Sequence, residues 1–272
     1  MKLTASDRSF AGSIPELYDR YMVPLIFEPY AQDLCERVVA MRPADVLELA
    51  AGTGVLTRRL AQALPRHAAI VATDLNQPML DQAQRVGTAR PVRWQQADAQ
   101  HLPFDAASFD VVACQFGVMF FPDKPKAHRE ARRVLRPGGT FVFSVWDRTE
   151  ANDFIHVIDG ALDALFPDDP PRFMQRGPHG YADRDAIRAD LAGGGFVDAE
   201  ITTLTCRSHA ADAHEAALAY CQGTPLRAEI EARGAQALER ATEAATQALV
   251  QRYGTGPIEG AIQALVVVAR RG

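Results

Sequence analysis

The sequence predicts an α/β protein built on a doubly wound, mostly parallel β-sheet. Between residues 45 and 146, apolar strand-like segments alternate with helix-like segments. The strand-like segments are continuous apolar runs, which is typical of parallel strands that helices cover on both faces. Residues 50–54 place Ala-Ala-Gly-Thr-Gly between the first strand and the first helix. Small residues at this junction let the backbone turn sharply and leave room for a ligand beside the helix N-terminus.

The first half of the chain supplies five strands. The first is predicted at 45–50, where DVLELA is apolar and partly β-branched. The other predicted strands lie at 69–75, 92–98, 109–116 and 140–146, and helices are predicted at 57–64, 79–86 and 126–135. The segment RPGG at 136–139 should end the last of these helices and form a turn, because Pro cannot continue a helix and Gly favours turns.

The second half is predicted to complete the sheet. Alternating β-branched residues at 197–208 and an apolar run at 260–270 indicate two further strands. Residues 183–196 and 211–252 have helical composition, and a Pro- and Gly-rich stretch before them indicates an excursion over the surface. The predicted organisation is an N-terminal helical cap (1–44), a core (45–146), a lid excursion (147–182), two segments that complete the sheet (183–208 and 257–272) and a helical insert over the substrate site (209–256).

Composition excludes several classes of function. A net charge of −5, from 29 basic and 34 acidic residues, gives no electrostatic footprint for nucleic acid. No apolar stretch approaches the roughly 18 to 20 residues that cross a bilayer, and the N-terminus has no signal-peptide core, so we expect a cytoplasmic protein without a membrane partner. The four cysteines lack zinc-type spacing, and no metal is expected. The oligomeric state stays open between monomer and homodimer.

The turn at 50–54 has the pattern of a nucleotide-binding strand, loop and helix. A dinucleotide fingerprint requires Gly or Ala at its third position, where the frame that begins at Gly52 places Thr57. Glu48, just before the turn, would repel a pyrophosphate but suits a cationic or amino-bearing ligand. An NAD-dependent dehydrogenase is therefore disfavoured.

The segment ELAAGTG at 48–54 resembles the acidic-x-Gly-x-Gly-x-Gly motif of class I S-adenosylmethionine (SAM) dependent methyltransferases, with Ala50 at the first glycine. Further segments are similar to this family in the same order: TDLN at 73–76, QPML at 77–80, QQADAQHLPFDAASFDVV at 95–112 and REARRVLRPGG at 129–139. The resemblance covers about 46–146 and is closest to the type 11 subgroup, which includes ubiquinone and menaquinone methyltransferases. It implies a Rossmann-like sheet of seven strands with an antiparallel last strand, a helical lid, and SAM as the cofactor.

The same resemblance implies roles for particular residues. Asp74 would accept hydrogen bonds from both ribose hydroxyls, and Met79 and Asp98 would contact the adenine. Tyr18 would reach the methionine carboxylate or close over the site. The predicted cofactor-binding residues are Tyr18, Glu48, Ala50, Gly52, Gly54, Asp74, Leu75, Met79, Asp98, Ala99 and Gln115.

The acceptor is predicted to be a small molecule that is methylated on O, N or C by in-line displacement. Tyr21, Phe116 and Trp146 are the predicted substrate-lining residues, and His156 and His179 are candidate bases. Two alternatives stay open. One is a catalytically inactive SAM-binding sensor or partner subunit. The other is a nucleic-acid or protein methyltransferase. The acidic balance, and CQFG in place of an NPPY-type motif after the fourth strand, weigh against enzymes that modify bases.

Overall fold

The computed structural model describes residue 4 and residues 6–272, and one seven-stranded sheet forms its centre. The strands are β1 (Asp45–Glu48), β2 (Ala69–Asp74), β3 (Arg93–Gln96), β4 (Phe109–Gln115), β5 (Leu135–Trp146), β6 (Ala199–Ala210) and β7 (Ile258–Arg270). Their order across the sheet is β3-β2-β1-β4-β5-β7-β6. Strands β1 to β5 run parallel, and β7 is antiparallel to both of its neighbours. The predicted fold class is confirmed.

Helices precede the first strand and lie in the connections between strands, except between β3 and β4. They are α1 (Ile14–Leu17), α2 (Glu28–Ala40), α3 (Val55–Ala63), α4 (Gln77–Val86), α5 (Lys124–Val134), α6 (Asp153–Leu165), α7 (Phe173–Arg176), α8 (Arg184–Gly193), α9 (Ala213–Gln222), α10 (Leu226–Glu231) and α11 (Ala237–Tyr253). A π-helix, Tyr18–Phe27, joins α1 to α2. Residues 1–3 and 5 of the predicted cap (1–44) lie outside the described part of the chain.

Side-chain parity along β5 shows that helices cover both faces of the sheet. Successive residues of a strand point to opposite faces. Phe141 and Phe143 point to one face, where the His128 ring of α5 lies 5.7 and 5.9 Å from their centroids. Trp146 points to the other face, where the Tyr30 ring of α2 lies 5.2 Å away. Buried apolar side chains on both faces explain why these strands lack apolar alternation in the sequence.

Aspartate caps fix where several helices begin. The side chain of Asp123 accepts a hydrogen bond from the backbone N–H of Lys126 at 2.9 Å, just before α5. Asp183 and Asp212 make equivalent bonds before α8 and α9. Each cap satisfies a backbone donor that the first helical turn leaves unpaired. These helices therefore start at positions set by local sequence.

The segment 136–139 differs from its predicted role as a turn. It lies within β5, where Phe109 pairs with Leu135 and Val111 pairs with Thr140, so these four residues bulge from the ladder. Gly138 there has a φ of 79°, which favours glycine. The Pro and Gly residues correctly mark an irregularity, but strand pairing continues on both sides of it.

The predicted helical insert at 209–256 contains three helices, α9 to α11, since Gly and Pro residues interrupt it near 223–225 and 234. Strand β6 also extends to Ala210, two residues beyond its predicted end. Within residue 4 and residues 6–272, no helix combines the length and apolarity that a membrane span requires. The same residues contain no group of three or more His, Cys, Asp or Glu side chains placed to share a metal ion.

Candidate functional site

Two adjoining cavities lie at the carboxyl ends of the parallel strands. We call the first the edge cavity; it has a volume of about 780 Å³ and is lined by the residues that follow β1, β2, β3 and β4. The second, the aromatic cavity, has a volume of about 500 Å³. Phe10, Tyr18, Phe116 and Phe120 line both cavities.

Most of the predicted cofactor-binding residues line the edge cavity. They are Tyr18, Ala50, Gly52, Asp74, Leu75, Met79, Asp98, Ala99 and Gln115. The structure therefore brings together residues from the ends of four strands, as expected for an open α/β sheet. Glu48 and Gly54 lie outside this lining.

The turn after β1 forms one side of the edge cavity. Ala50, Gly52 and Gly54 have φ values of 50°, 57° and 86°, in the left-handed region that disfavours side chains. A hydrogen bond of 2.8 Å, from the N–H of Ala51 to the carbonyl of Thr73, holds the turn in place. A Cβ on Gly52 would lie 3.6 Å from Cε of Met79. Small residues thus satisfy the backbone conformation and keep this side of the cavity free of bulk.

Gly54 has a packing role. A Cβ at this position would lie 3.0 Å from the Trp94 ring and 3.2 Å from Cβ of Ala83. Trp94 belongs to β3 and Ala83 to α4, so the missing side chain lets the start of α3 approach both elements.

Glu48 is buried at the end of β1 and is 1% exposed. Its carboxyl oxygen Oε2 accepts a hydrogen bond from the hydroxyl of Thr57 at 2.6 Å. Burial raises the pKa of Glu48 to about 8, so the group is largely protonated at neutral pH. The structure therefore directs this carboxyl to α3, and Thr57, the residue that breaks the dinucleotide fingerprint, is its partner.

Asp74 ends β2 and presents its carboxylate to the edge cavity. Oδ2 accepts a hydrogen bond from the N–H of Gly52 at 2.9 Å, and Oδ1 accepts one from the N–H of Asn76 at 2.8 Å. Burial raises the pKa of Asp74, and these two hydrogen bonds oppose the increase. Oδ1 also accepts a long hydrogen bond from Nδ2 of Asn76 at 3.5 Å, whereas Oδ2 accepts only the bond from Gly52, so Oδ2 keeps a lone pair for a ligand hydroxyl.

The lining of the edge cavity also combines apolar side chains, Leu75 and Met79, with the polar side chain of Asp98. Met79 is 3% exposed and Leu75 is 43% exposed, and together they offer an apolar surface. Asp98 accepts a hydrogen bond from the N–H of Gln100 at 2.9 Å, and its side chain stays 41% exposed. A flat ring with an exocyclic amino group fits this combination, because a carboxylate accepts from an amine while the ring covers the apolar side chains.

Gln115 ends β4 and is 9% exposed. Its Nε2 donates to the carbonyl of Phe27, the last residue of the π-helix, at 2.9 Å. Its Oε1 is buried and has no hydrogen-bond partner among the described residues. An unpaired buried acceptor is unfavourable, so this oxygen is available to a ligand that carries an N–H or O–H group.

The aromatic cavity is lined mainly by aromatic rings and methionines. Phe116 and Trp146 stack with their centroids 3.8 Å apart and 6° between their planes. Tyr30 packs edge-on against both rings at 5.2 Å. The lining residues beyond the shared four are Met22, Ile26, Phe27, Trp146, Asn152, Phe173, Met174, Pro178, His179, Tyr220 and Thr224.

The residues predicted to contact the acceptor divide into two groups. Phe116, Trp146 and His179 line the aromatic cavity. Tyr21 lies outside both linings, with the guanidinium of Arg20 5.0 Å from its ring centroid. His156 is exposed on α6 and also lies outside both linings.

Several lining residues were absent from the sequence prediction. Asn76 and Gly117 directly follow predicted strands, so the same position argument that selected Asp74 could have found them. Phe10, Tyr220 and Phe173 carry no local signal, because only tertiary packing brings their segments to the strand ends.

Comparison with known proteins identifies a family and individual proteins to which this chain is similar. Residues 47–143 match the family described as "Methyltransferase domain". The ubiquinone/menaquinone biosynthesis C-methyltransferase UbiE of Idiomarina loihiensis is 28% identical over 177 residues, which span 60% of this chain and 70% of that protein.

Solved structures show the same fold. Phosphoethanolamine N-methyltransferase 2 of Haemonchus contortus, in complex with phosphomonomethylethanolamine and S-adenosylhomocysteine, aligns with a TM-score of 0.62 at 16% identity, over 99% of this chain and 61% of that chain. The YcgJ protein of Bacillus subtilis aligns with a TM-score of 0.57 at 17% identity, over 88% of this chain and 98% of that chain.

Proposed function

Because this chain is a class I SAM-dependent methyltransferase, we propose that it methylates O, N or C of a small molecule bound in the aromatic cavity. The observation that carries this proposal is the junction of the two cavities. Tyr18 and Phe116 line both of them, so a methyl donor held in the edge cavity adjoins an acceptor held in the aromatic cavity.

The residues of the edge cavity fit SAM. Asp74 would hold the ribose hydroxyls, and Leu75 and Met79 would cover one face of the adenine. Asp98 and Ala99 would take the polar edge of that ring. The unpaired Oε1 of Gln115 offers an acceptor to the ammonium group of the methionine part.

When bound, SAM supplies a methyl group on a positively charged sulfur. The protein contributes position: two ligands held in line, with water excluded, can lower the barrier by roughly 7–11 kcal/mol. The aromatic faces of Tyr18 and Phe116 favour positive charge beside them. A hydrogen bond of 3.0 Å, from the N–H of Phe116 to the carbonyl of Ser144, holds Phe116 in place.

The names of two similar proteins differ in the acceptor atom. The relative from Idiomarina loihiensis is named a C-methyltransferase, and the solved Haemonchus contortus enzyme is named an N-methyltransferase. These names do not select one acceptor atom for this chain, so the proposal keeps O, N and C.

Substitution of Asp74 tests the proposal. In Asp74→Asn, the affinity for S-adenosylhomocysteine should fall about 10- to 100-fold, because a hydrogen bond to a charged group contributes roughly 1.5–3 kcal/mol. Calorimetric titration measures this change. Asp81→Asn is the control, since Asp81 is an exposed carboxylate on the neighbouring helix α4. An analogue that lacks both ribose hydroxyls should bind wild type and Asp74→Asn equally.

Two results would contradict the proposal. Wild-type protein that binds neither SAM nor S-adenosylhomocysteine at sub-millimolar concentration would exclude methyl transfer. Binding without turnover of any phenol, amine or quinone would favour the alternative of an inactive SAM-binding sensor or partner subunit.

A further inference from the structure

His179 is the only imidazole among the described residues that line the aromatic cavity. It lies between α7 and α8, and its Nδ1 is 2.6 Å from the backbone carbonyl oxygen of Asp147. A carbonyl oxygen only accepts hydrogen bonds, so Nδ1 carries the hydrogen of the neutral ring. The tautomer is therefore fixed, and Nε2 keeps its lone pair.

Nε2 of His179 is free to contact a ligand. It has no hydrogen-bond partner in the part of the chain that the structure describes, and His179 as a residue is only partly buried. Burial lowers the pKa of His179 to about 4, against the opposing effect of the Asp147 carbonyl and the carboxylates of Asp147 and Glu150. The ring is therefore neutral before a ligand binds.

The other polar groups of the aromatic cavity are either occupied or uncharged. The amide of Asn152 and the hydroxyl of Thr224 already bond to the protein backbone. The hydroxyls of Tyr18 and Tyr220 stay protonated, because burial raises the pKa of both groups. None of the described lining residues carries a charge at neutral pH, so no lining group can pair with an ionic acceptor.

We propose that the acceptor is an uncharged, ring-bearing molecule with a hydroxyl group, and that Nε2 of His179 receives the proton of that hydroxyl. This inference rests on the proposed function. The stacked pair of Phe116 and Trp146 offers an aromatic surface for the ring. His179 then supplies the hydrogen-bond acceptor that orients the hydroxyl.

The step balances as follows. The acceptor oxygen gives a lone pair to the methyl carbon, the carbon–sulfur electron pair stays on the sulfur of the donor, and the O–H proton moves to Nε2. The products are the methyl ether, S-adenosylhomocysteine and an imidazolium, which releases its proton to water. A hydroxyl that is being methylated becomes far more acidic than an imidazolium, so a weakly basic ring is sufficient.

Three ring-matched compounds test the class of acceptor: 2-naphthol, 2-naphthylamine and 2-naphthoate. Formation of S-adenosylhomocysteine measures turnover, and quenching of Trp146, which lines the cavity, measures binding. We expect 2-naphthol to bind and to form its methyl ether, and the carboxylate to do neither. Turnover of the amine or the carboxylate without the naphthol, or failure of the naphthol to bind, would overturn the inference. Loss of SAM binding would instead overturn the proposed function.

The variant His179→Gln tests the role of the imidazole. Its kcat for 2-naphthol should fall about 10²- to 10⁴-fold, the range for loss of a general base. Imidazole added to His179→Ala should restore part of the kcat for 2-naphthol, because it supplies a free base in the space of the missing ring, and it should leave the wild-type kcat unchanged. His156→Gln is the matched control, since His156 is exposed and lies outside both cavities. No loss of kcat in His179→Gln, or no rescue of His179→Ala by imidazole, would show that His179 does not receive the proton.

Discussion

At the scale of single residues, the edge cavity depends on a contact between Ala50 and Gly117. A Cβ on Gly117 would lie 2.4 Å from Cβ of Ala50 and 2.7 Å from Sγ of Cys114. The φ of Gly117 is −104°, which other residues also adopt, so glycine is required by lack of space. The turn after β1 therefore touches the end of β4 with no room for one more carbon.

The variant Gly117→Ala should lower the free energy of unfolding by about 1–3 kcal/mol, the usual cost of overpacking. It should also weaken binding of S-adenosylhomocysteine, because both residues line the edge cavity. Adding Ala50→Gly removes one of the two colliding atoms and should restore part of the stability. Urea denaturation of the two single variants and the double variant measures this coupling.

Gly160 provides the control for that prediction. It lies on α6 with no atom within 4 Å of an added Cβ. Gly160→Ala should leave stability unchanged or raise it by up to about 1 kcal/mol, because alanine favours helix. If Gly117→Ala also left the free energy of unfolding unchanged or raised it, the close contact between Ala50 and Gly117 would be disproved.

At the scale of elements, one buried ion pair holds the segment 6–13, which we call the N-terminal strap. Asp7 accepts two hydrogen bonds from Arg176 of α7, at 2.8 and 2.6 Å, and these side chains are 2% and 9% exposed. Arg176 also contacts Glu229 of α10. Further along the strap, the N–H of Phe10 donates to Oδ1 of Asn76 at 3.2 Å. The ion pair thus positions Phe10, which lines both cavities.

The variant Asp7→Asn should release the strap. Breaking one side of a buried ion pair typically costs about 3–5 kcal/mol, which exceeds what a short segment gains from its other contacts. We expect faster hydrogen exchange at the amide of Phe10 and weaker binding of S-adenosylhomocysteine. Asp163→Asn is the control, because the Asp163–Arg172 pair is 44% and 37% exposed and should contribute little. Unchanged exchange at Phe10 in Asp7→Asn would contradict this role.

All seven strands could be predicted from the sequence, because most of them are apolar runs and β6 carries alternating β-branched residues. The N-terminal helix could not be predicted in the same detail. Apolar residues at helical spacing in this segment include Leu17, Tyr21, Leu25 and Ile26, and of these only Ile26 lines a cavity. The segment winds as a π-helix, and apolar spacing does not indicate which of its faces meets the cavities.

At the scale of the whole molecule, two buried histidines make the fold sensitive to acid. His128 lies between α5 and the sheet, is 0% exposed, and has no partner for either ring nitrogen in the described chain. Burial lowers the pKa of His128 to about 4, although Asp190 opposes this change and Lys124 adds to it. The pKa of His179 is lowered to about 4 as well.

The contribution of the two histidines to stability should therefore fall as the pH decreases from about 6.5 to about 4, whereas Glu48 and Asp159, whose pKa values burial raises, contribute in the opposite direction. The unfolded chain binds a proton at each histidine first, because its pKa there is the ordinary value near 6.5. Between pH 7 and pH 5, each histidine should remove about 2 kcal/mol from the free energy of unfolding. Urea denaturation at these two pH values measures the loss.

Substitution separates the two contributions. His128→Leu keeps an apolar side chain in this position and should remove its share of the acid sensitivity. His67→Leu is the control, since His67 is exposed and should leave the pH dependence as in wild type. If the pH dependence in His128→Leu equalled that of wild type, His128 of the wild-type protein would bind protons equally in the folded and unfolded states.

The candidate site could be predicted only where it depends on strand ends. Asp74 and Gln115 end a strand and Asp98 follows one, and local sequence identifies these positions. Phe10 and Tyr220 come from segments more than 200 residues apart, and they meet only because the strap and the helical insert pack over the same edge. Such long-range packing has no local pattern, so the acceptor side of the site required the structure.

The π-helix Tyr18–Phe27 also affects how this protein can evolve. Its backbone N–H groups bond five residues back, as Glu28 does to Val23, so the segment has more residues per turn than an α-helix. Deletion of one residue from it should change which of its side chains, Tyr18 among them, face the cavities. A lineage could thereby exchange the side chains that contact the acceptor in one genetic event, while the sheet and its cofactor residues stayed the same.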